Sequence, residues 1–300
     1  MATFRQSLVS TLLRRYPFYS GCGTLANHPI TQRLAGFSKD QVWTSVPGGD
    51  ILVSLDDYVG RAAYYVGDLD RKITWICQKL VGPGDTVMDI GANIGLVTLW
   101  LSYLVGESGK VHAFEPNPKL QEMIEKALHR NRRSNVIVHR MALGSKDGTM
   151  ELYIPQGNSG EGSLIRNRAR KDCNIVSVPV YTLSSVMAKE KFDKVRLIKI
   201  DVEGFEEEVL RGASEFFEKV RPETLLFEQN AKFNGPISHQ PVIRLMHDLD
   251  YGFFSIQKCK LRMHLRRFYP DRDKRNNGND LLAAHRSIYE SIASLVGAQE

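Results

Sequence analysis

Carboxylates that follow apolar, strand-like segments are the residues of this chain best placed to do chemistry. Asp89 lies in the segment VMDIGANIGLVTLW, which turns through Gly91 and Gly95 into an apolar helix. Glu115 ends the segment KVHAFE, and Asp201 ends LIKID. Glycine at such a turn lets a ligand approach the backbone closely. The pattern predicts a ligand site at the carboxyl ends of several strands.

The turn at residues 91–95 does not suit a dinucleotide. It reads GANIG, whereas the dinucleotide fingerprint is G-x-G-x-x-G, whose second glycine makes room for a pyrophosphate. Asp89 also disfavours an anionic pyrophosphate and favours a cationic ligand. Glu115 stands about twenty residues further on, where an acid accepts hydrogen bonds from a ribose diol. S-adenosylmethionine has the ribose and the cationic groups, and its carboxylate can bind exposed amides of the turn and the helix N-terminus.

Alternating strand-like and helical segments must position these residues. From Thr86 onward, strand, helix, strand, helix and strand follow one another, and the pattern resumes at Val195 with the segment VRLIKID. This alternation predicts an α/β fold with a mostly parallel sheet and helices on both faces. In between, GTMELYIP and IVSVPVYTL predict an inserted β-hairpin, whose loop is rich in Gly, Ser and Asn.

Composition limits the class of protein. The 300 residues are 42% hydrophobic and 25% charged, as in ordinary soluble globular proteins, and we expect no transmembrane segment. The net charge is +6, but acids are interspersed with the basic residues, so a nucleic-acid partner is not expected, although it stays an alternative. The four cysteines lack C-x-x-C spacing, which argues against a zinc site or a disulfide framework.

The first 39 residues contain Arg, Lys, Ser and Thr but no acid before Asp40. Their start can form an amphipathic helix, which fits either an organellar transit peptide or a helix packed on the following domain. We therefore predict an N-terminal extension over residues 1–41 and one domain over residues 42–300. The expected location is cytoplasmic, with organellar import left open, and the oligomeric state is not predicted.

Several motifs together resemble the FkbM family of S-adenosylmethionine-dependent methyltransferases over about Val42 to His285. They are GPGDTVMDIGANIGLVTLWLS, GKVHAFEPNP, ALGSKDG, VPVYTLSSV and LIKIDVEGFEEEVLRGA. The resemblance implies a Rossmann-like methyltransferase fold, with seven strands of which the last is antiparallel. GFFSIQ and NDLLAAH would form its closing hairpin. The implied cofactor-binding residues are Asp89, Gly91, Ala92, Asn93, Gly95, Glu115, Pro116 and Ala142.

The resemblance also implies O-methylation of a hydroxyl on a small molecule, sugar or lipid-like acceptor. A hydroxyl must lose its proton, so a positioned base is expected. Asp201 and Glu203 are the candidate catalytic residues. The three acids that follow, Glu206 to Glu208, are expected on the surface, because the helix dipole alone favours acids in a first turn. Glu228 is a further candidate for acceptor contact.

Other features leave alternatives open. Arg166, Arg168, Arg170 and Lys171 lie in the inserted loop, a candidate lid that could bind an anionic acceptor. We expect no metal site, and His139 fits a hydrogen-bonded core residue better than a catalytic base. The alternatives to O-methylation are N-methylation, RNA-directed methylation, or an inactive binding module with this fold.

Overall fold

The structure, a computed structural model, describes residues 2–166, 172–190, 192–228, 236–258, 261–273 and 280–299. The strands are β1 (Gln41–Val46), β2 (Gly49–Ser54), β3 (Thr86–Ile90), β4 (Lys110–Phe114), β5 (Val136–His139), β6 (Ala142–Leu143), β7 (Gly148–Pro155), β8 (Cys173–Tyr181), β9 (Leu197–Ile200), β10 (Thr224–Glu228), β11 (Tyr251–Lys258), β12 (Met263–Phe268) and β13 (Asp280–His285). The helices are α1 (Phe4–Leu13), α2 (Cys22–Ala26), α3 (Pro29–Ala35), α4 (Tyr58–Tyr65), α5 (Arg71–Leu80), α6 (Leu96–Val105), α7 (Pro118–Arg130), α8 (Leu183–Met187), α9 (Glu206–Arg211), α10 (Ser214–Val220), α11 (Pro241–Asp248) and α12 (Tyr289–Val296).

The main sheet has eight described strands in the order β12-β11-β13-β10-β9-β3-β4-β5. Strands β10, β9, β3, β4 and β5 are parallel, and β13 is antiparallel to both of its neighbours. The predicted α/β class, mostly parallel sheet and antiparallel last strand are confirmed. The predicted number of seven is one short, because edge strand β12 lies in a stretch whose many basic residues suggested a polar connection.

Helices cover both faces of the sheet because its central strands are apolar on both sides. Met88 and Ile90 share a core with residues of α8 to α11. Val87 and Val111 point the other way, into a core formed with α5, α6 and α12. Successive side chains of β3 are therefore buried on opposite faces of the sheet. The predicted layers of helices on both faces are confirmed.

The predicted inserted hairpin is also confirmed. β7 and β8 pair antiparallel from Gly148 with Val180 to Pro155 with Cys173. They form a separate three-stranded sheet with β6. The loop at the tip folds back onto β7, since Ser163 pairs with Tyr153 as an isolated bridge.

Residues 2–41 pack against the rest of the chain. The Ser10 hydroxyl on α1 donates to the carbonyl of Tyr64 at 2.8 Å. The Arg14 guanidinium donates to the carbonyls of Ser45 at 2.8 Å and Tyr64 at 3.0 Å. These bonds fix α1 on β1 and α4. Among the described residues, no helix combines the length and apolarity needed to cross a membrane.

The strand order places a crevice next to β3. From β3 the chain proceeds through β4 to β5 on one side, whereas β9 and β10 lie on the other. In open α/β sheets, ligands bind outside the carboxyl ends of the strands at such a reversal. The turns after β3 and β9 therefore face the same crevice.

Candidate active site

The turn after β3 is built around Gly91. Its φ is +79°, and a Cβ added there would lie 2.0 Å from the backbone oxygen of Asp201. Only glycine allows the turns after β3 and β9 to approach so closely. Asn93 also has a positive φ, of 53°, a conformation that asparagine tolerates better than most residues. The two candidate turns form one compact unit.

The amides of this turn are already hydrogen-bonded within the protein. Those of Gly91 and Ala92 donate to the carbonyl of Phe114 at 3.0 Å each. The expectation that these exposed amides bind a ligand carboxylate is wrong for these two residues. The start of α6 remains suitable for an anion, because the first amides of a helix have no intrahelical partners. Leu96 and Val97 of that first turn line a cavity.

Glu115 is held under the turn as a buried acceptor. Its Oε2 accepts from the amide of Asn93 at 2.8 Å, and its Oε1 accepts from the amide of Asn117 at 2.8 Å. Burial raises the pKa of Glu115 to about 7, although the two amide bonds oppose the rise. Each oxygen keeps a second lone pair that can accept from a hydroxyl. The two oxygens of Glu115 are thus held in fixed positions, as a residue that accepts hydrogen bonds from a ribose diol requires.

Asp89 lies beneath the turn and does not line either of the cavities described below. It is fully buried and accepts from the Thr98 hydroxyl at 2.6 Å. Its other oxygen is 3.3 Å from the Lys199 ammonium, which also donates to the Gly91 carbonyl at 2.9 Å. The structure therefore gives Asp89 contacts that support the turn. Gly95 is the N-cap that precedes α6, and its φ is +87°. A Cβ added there would lie 3.0 Å from Ile124.

Lys199 is a residue that our reading of the sequence missed. Burial lowers its pKa, but the carboxylates of Asp89 and Asp201 more than offset this, so the pKa lies above its ordinary value. The sequence does indicate a role for it, because a lysine inside the apolar segment LIKI needs a charged or polar partner when the strand is buried on both faces. The parallel register supplies it by pairing Lys199 with Asp89.

Two connected cavities open at this crevice. The smaller lies between the ends of β3 and β4 and the inserted hairpin. Its lining includes most of the predicted cofactor residues, namely Gly91, Asn93, Glu115, Pro116 and Ala142. The larger has a volume of about 840 Å³ and extends toward α2, α4 and α5. Five residues line both: Gly91, Asn93, Gly160, Asp201 and Glu203.

The two candidate catalytic residues lie where the cavities meet. The Asp201 side chain is 51% exposed and its Oδ2 is 3.7 Å from the Lys199 ammonium. Glu203 has φ 54° in the tight turn that follows β9. Burial, followed by the charges of Asp201 and Glu228, raises its pKa to about 7. Glu203 can therefore exchange a proton near neutral pH.

Glu206 is not on the surface as expected. It is buried, and its Oε1 accepts from the amides of Val202 at 3.3 Å and Gly204 at 3.0 Å. Glu206 thus stabilises the turn that contains Glu203. The helix dipole favours an acid in the first turn whether its side chain is buried or exposed, so the sequence could not predict this role. Glu207, as expected, forms an ion pair near the surface, with Arg211 at 2.6 Å.

The inserted hairpin reaches over the crevice. The Ser163 hydroxyl donates to the carbonyl of Glu203 at 3.2 Å, and the amide of Tyr58 donates to the carbonyl of Gly157 at 3.0 Å. Gly160 and Leu164 line the smaller cavity. The described part of the loop thus covers the site from above. Three of its four basic candidates, Arg168, Arg170 and Lys171, lie outside the described residues.

His139 is hydrogen-bonded in the core. Its Nε2 is 3.0 Å from Nδ1 of His112, whose Nδ1 is also 3.2 Å from Glu190. Phe114 stacks on His139 with the ring centroids 4.2 Å apart. Burial lowers the pKa of both histidines to about 4, so both are neutral at pH 7. Among the described residues, His112, His139 and Glu190 form the group whose side-chain atoms could bind a metal ion together, because these atoms lie within 4.8 Å of one another.

Residues 89–253 match the methyltransferase FkbM domain family. The chain is 31% identical over 148 residues to "Methyltransferase 1" of Beauveria bassiana, covering 43% of this chain and 59% of that protein. It is 29% identical over 167 residues to "31-O-demethyl-FK506 methyltransferase FkbM" of Streptomyces tacrolimicus, covering 44% and 61%. The matches thus span about three fifths of these relatives.

A solved structure of a methyltransferase FkbM from Methylobacillus flagellatus aligns with a TM-score of 0.41 and 14% identity, covering 94% of this chain and 59% of that one. The family match includes the turn after β3, Glu115 and the turn after β9. It covers more than half of the chain. The chain therefore belongs to the FkbM family of S-adenosylmethionine-dependent methyltransferases.

Proposed function

We propose that this protein transfers the methyl group of S-adenosylmethionine to a hydroxyl of a neutral small molecule, sugar or lipid-like acceptor. The observation that carries this proposal is the position of Glu203, with its pKa near 7, between the two cavities. A carboxylate that titrates near the working pH suits a general base. Methylation of a neutral amine would not need one.

The residues that line the smaller cavity suit the adenosine part of the donor. Glu115 offers two oriented oxygens to a ribose diol, and Ala142 and Leu143 line an apolar side for a base. The larger cavity suits the charged part, because Asp201 and Glu203 favour a sulfonium and an ammonium. The start of α6 can bind the carboxylate. Each part of the ligand therefore has a complementary group.

The proposed chemistry is an in-line displacement. S-adenosylmethionine supplies a methyl group that its sulfonium makes electrophilic. Glu203 accepts the acceptor's hydroxyl proton as the oxygen–carbon bond forms and the carbon–sulfur bond breaks, leaving protonated Glu203, a methyl ether and the neutral thioether. Asp201 stabilises the cationic donor and keeps the pKa of Glu203 raised. The turns hold both carboxylates in place, which alignment of donor and acceptor requires.

The charge of the larger cavity favours a neutral acceptor over the anionic one that the basic loop suggested. Its lining has three cationic side chains, and two of them are already paired: Lys72 with Asp70 at 2.8 Å, and Lys199 with Asp89 at 3.3 Å. Its acidic residues are more numerous and comprise Asp68, Asp70, Glu161, Asp201, Glu203, Glu228 and Asp280. An acceptor that brought a phosphate or carboxylate beside Asp201 and Glu203, including the RNA backbone, would be repelled.

Methyl transfer from radiolabelled S-adenosylmethionine to a panel of acceptors tests the proposal. The panel contains neutral polyols and phenols, phosphorylated and carboxylated analogues, and amines. We expect label in neutral hydroxyl compounds, and Glu203→Gln should lower kcat by about 10²- to 10⁴-fold. Glu207→Gln is the matched control, because Glu207 lies four residues further along the chain and lines neither cavity. Preference for anionic acceptors, or unchanged turnover in Glu203→Gln, would contradict the proposed mechanism. Label in amines alone would identify an N-methyltransferase.

A further inference from the structure

The N-terminal helices leave an unusual amount of apolar surface exposed. Six of the thirteen large apolar side chains exposed among the described residues lie between positions 4 and 37, and they are 51% to 82% exposed. Globular proteins rarely leave such groups together without a binding role. These six residues, named here the N-terminal apolar face, are Phe4, Leu8, Leu12, Ile30, Leu34 and Phe37.

Regular spacing puts these side chains on the outer sides of two helices. Phe4, Leu8 and Leu12 are four residues apart along α1 and share one side of it, whereas Gln6 and Ser10 are buried on the other. On α3, Ile30 and Leu34 are likewise exposed while Thr31 and Ala35 are buried. α1 and α3 pack against each other. The bonds of Arg14 described above fix α1, so the apolar side is held outward.

The charge around this face selects its partner. The chain has no acid before Asp40, whereas Arg5, Arg15, Arg33 and Lys39 are exposed. Helices with apolar residues on one side and basic residues around them bind the interface of anionic bilayers. A second copy of this chain would bring like charges together. We propose that the N-terminal apolar face docks on an anionic lipid membrane.

Docking would place the crevice near the lipid. The segment that carries the apolar face also lines the larger cavity, through Gly21, Gly23 and Thr24. A neutral hydroxylated acceptor dissolved in or attached to the membrane could then reach Glu203 without crossing open water. This consequence rests on the proposed function, whereas the docking itself does not.

Vesicle flotation of the full chain tests the docking without any methyl acceptor. The vesicles contain phosphatidylcholine alone or with about a third phosphatidylserine. We expect binding to the anionic vesicles that weakens with salt. Each of Leu8→Gln and Leu34→Gln should weaken it by about tenfold. Arg5→Gln should weaken it by about fivefold on anionic vesicles only.

Ile175→Gln is the control, because Ile175 is similarly exposed on β8. Circular dichroism establishes that each variant is folded. Absence of wild-type binding to anionic vesicles would overturn the docking, as would equal binding by the wild type and the Leu8 and Leu34 variants. Sedimentation velocity gives a further contradicting result, namely a wild-type dimer that Leu8→Gln dissociates, which would make the face a contact between copies. Failure of docking leaves methyl transfer in solution unaffected, so the two proposals are separable.

Discussion

Replacing Glu203 by glutamine should stabilise the folded chain at alkaline pH. The pKa of this carboxyl rises from 4.5 to about 7 on folding, so the folded state binds the proton more tightly than the unfolded state does. Since tenfold in an equilibrium constant is about 1.4 kcal/mol, the ionised group costs at most about 3 kcal/mol. Partial exposure screens its charge and reduces the expected cost to about 1–2 kcal/mol.

The sign of this cost fixes its pH dependence. Ionised Glu203 destabilises the fold fully above about pH 7. The cost is lost as the pH falls from 7 toward 4.5, where the folded carboxyl is protonated and the unfolded one is half protonated. Glu203→Gln should therefore be more stable than the wild type by about 1–2 kcal/mol at pH 8, and the gain should shrink to less than about 0.5 kcal/mol near pH 4.5.

Urea denaturation at both pH values, followed by tryptophan fluorescence, measures the difference. Glu122→Gln is the control, because its side chain is 70% exposed. A Glu203→Gln variant that is less stable than the wild type at pH 8 would refute the reasoning. A gain of the same size at both pH values would also do so, because it would not come from ionisation.

Two further substitutions probe the support of the turn. Lys199→Met leaves the fully buried Asp89 without its cationic partner, so the free energy of unfolding should fall by about 3–5 kcal/mol. Adding Asp89→Asn to this variant should recover much of the loss. A Lys199→Met variant as stable as the wild type would contradict the pairing of Lys199 with Asp89. Gly91→Ala brings a Cβ to 2.0 Å from a backbone oxygen at φ +79° and should lower the unfolding temperature and abolish S-adenosylmethionine binding, whereas Gly82→Ala, which meets no atom within 4 Å, should leave both nearly unchanged.

Much of the fold followed from periodicity and strand-end residues. The alternation from Thr86 onward predicted the parallel strands, because both faces of each strand must be apolar. Edge strand β12 was missed because its sequence, MHLRRF, is rich in basic residues, and only Leu265 and Phe268 of its side chains are buried. An edge strand needs few apolar residues, so its pattern is weak.

The sequence predicted where the candidate site lies better than it predicted the contacts of the residues within it. Glu115 and Glu203 lie at the cavities, since strand ends of a parallel sheet share one edge. The contacts of Asp89 could not be read from the sequence, because they depend on the register between β3 and β9 that brings Lys199 beside it. Likewise, burial of Glu206 depends on how the following turn folds back.

Calorimetric titration with S-adenosylmethionine, S-adenosylhomocysteine, NAD and ATP tests the central claim most directly. We expect micromolar binding of the first two compounds only. Glu115→Gln should bind them about tenfold or more weakly, because one of the two accepting oxygens of Glu115 becomes an amide donor. Binding of NAD or ATP in preference, or no binding of S-adenosylmethionine by the folded wild type, would contradict the assignment of this crevice as a methyl-donor site.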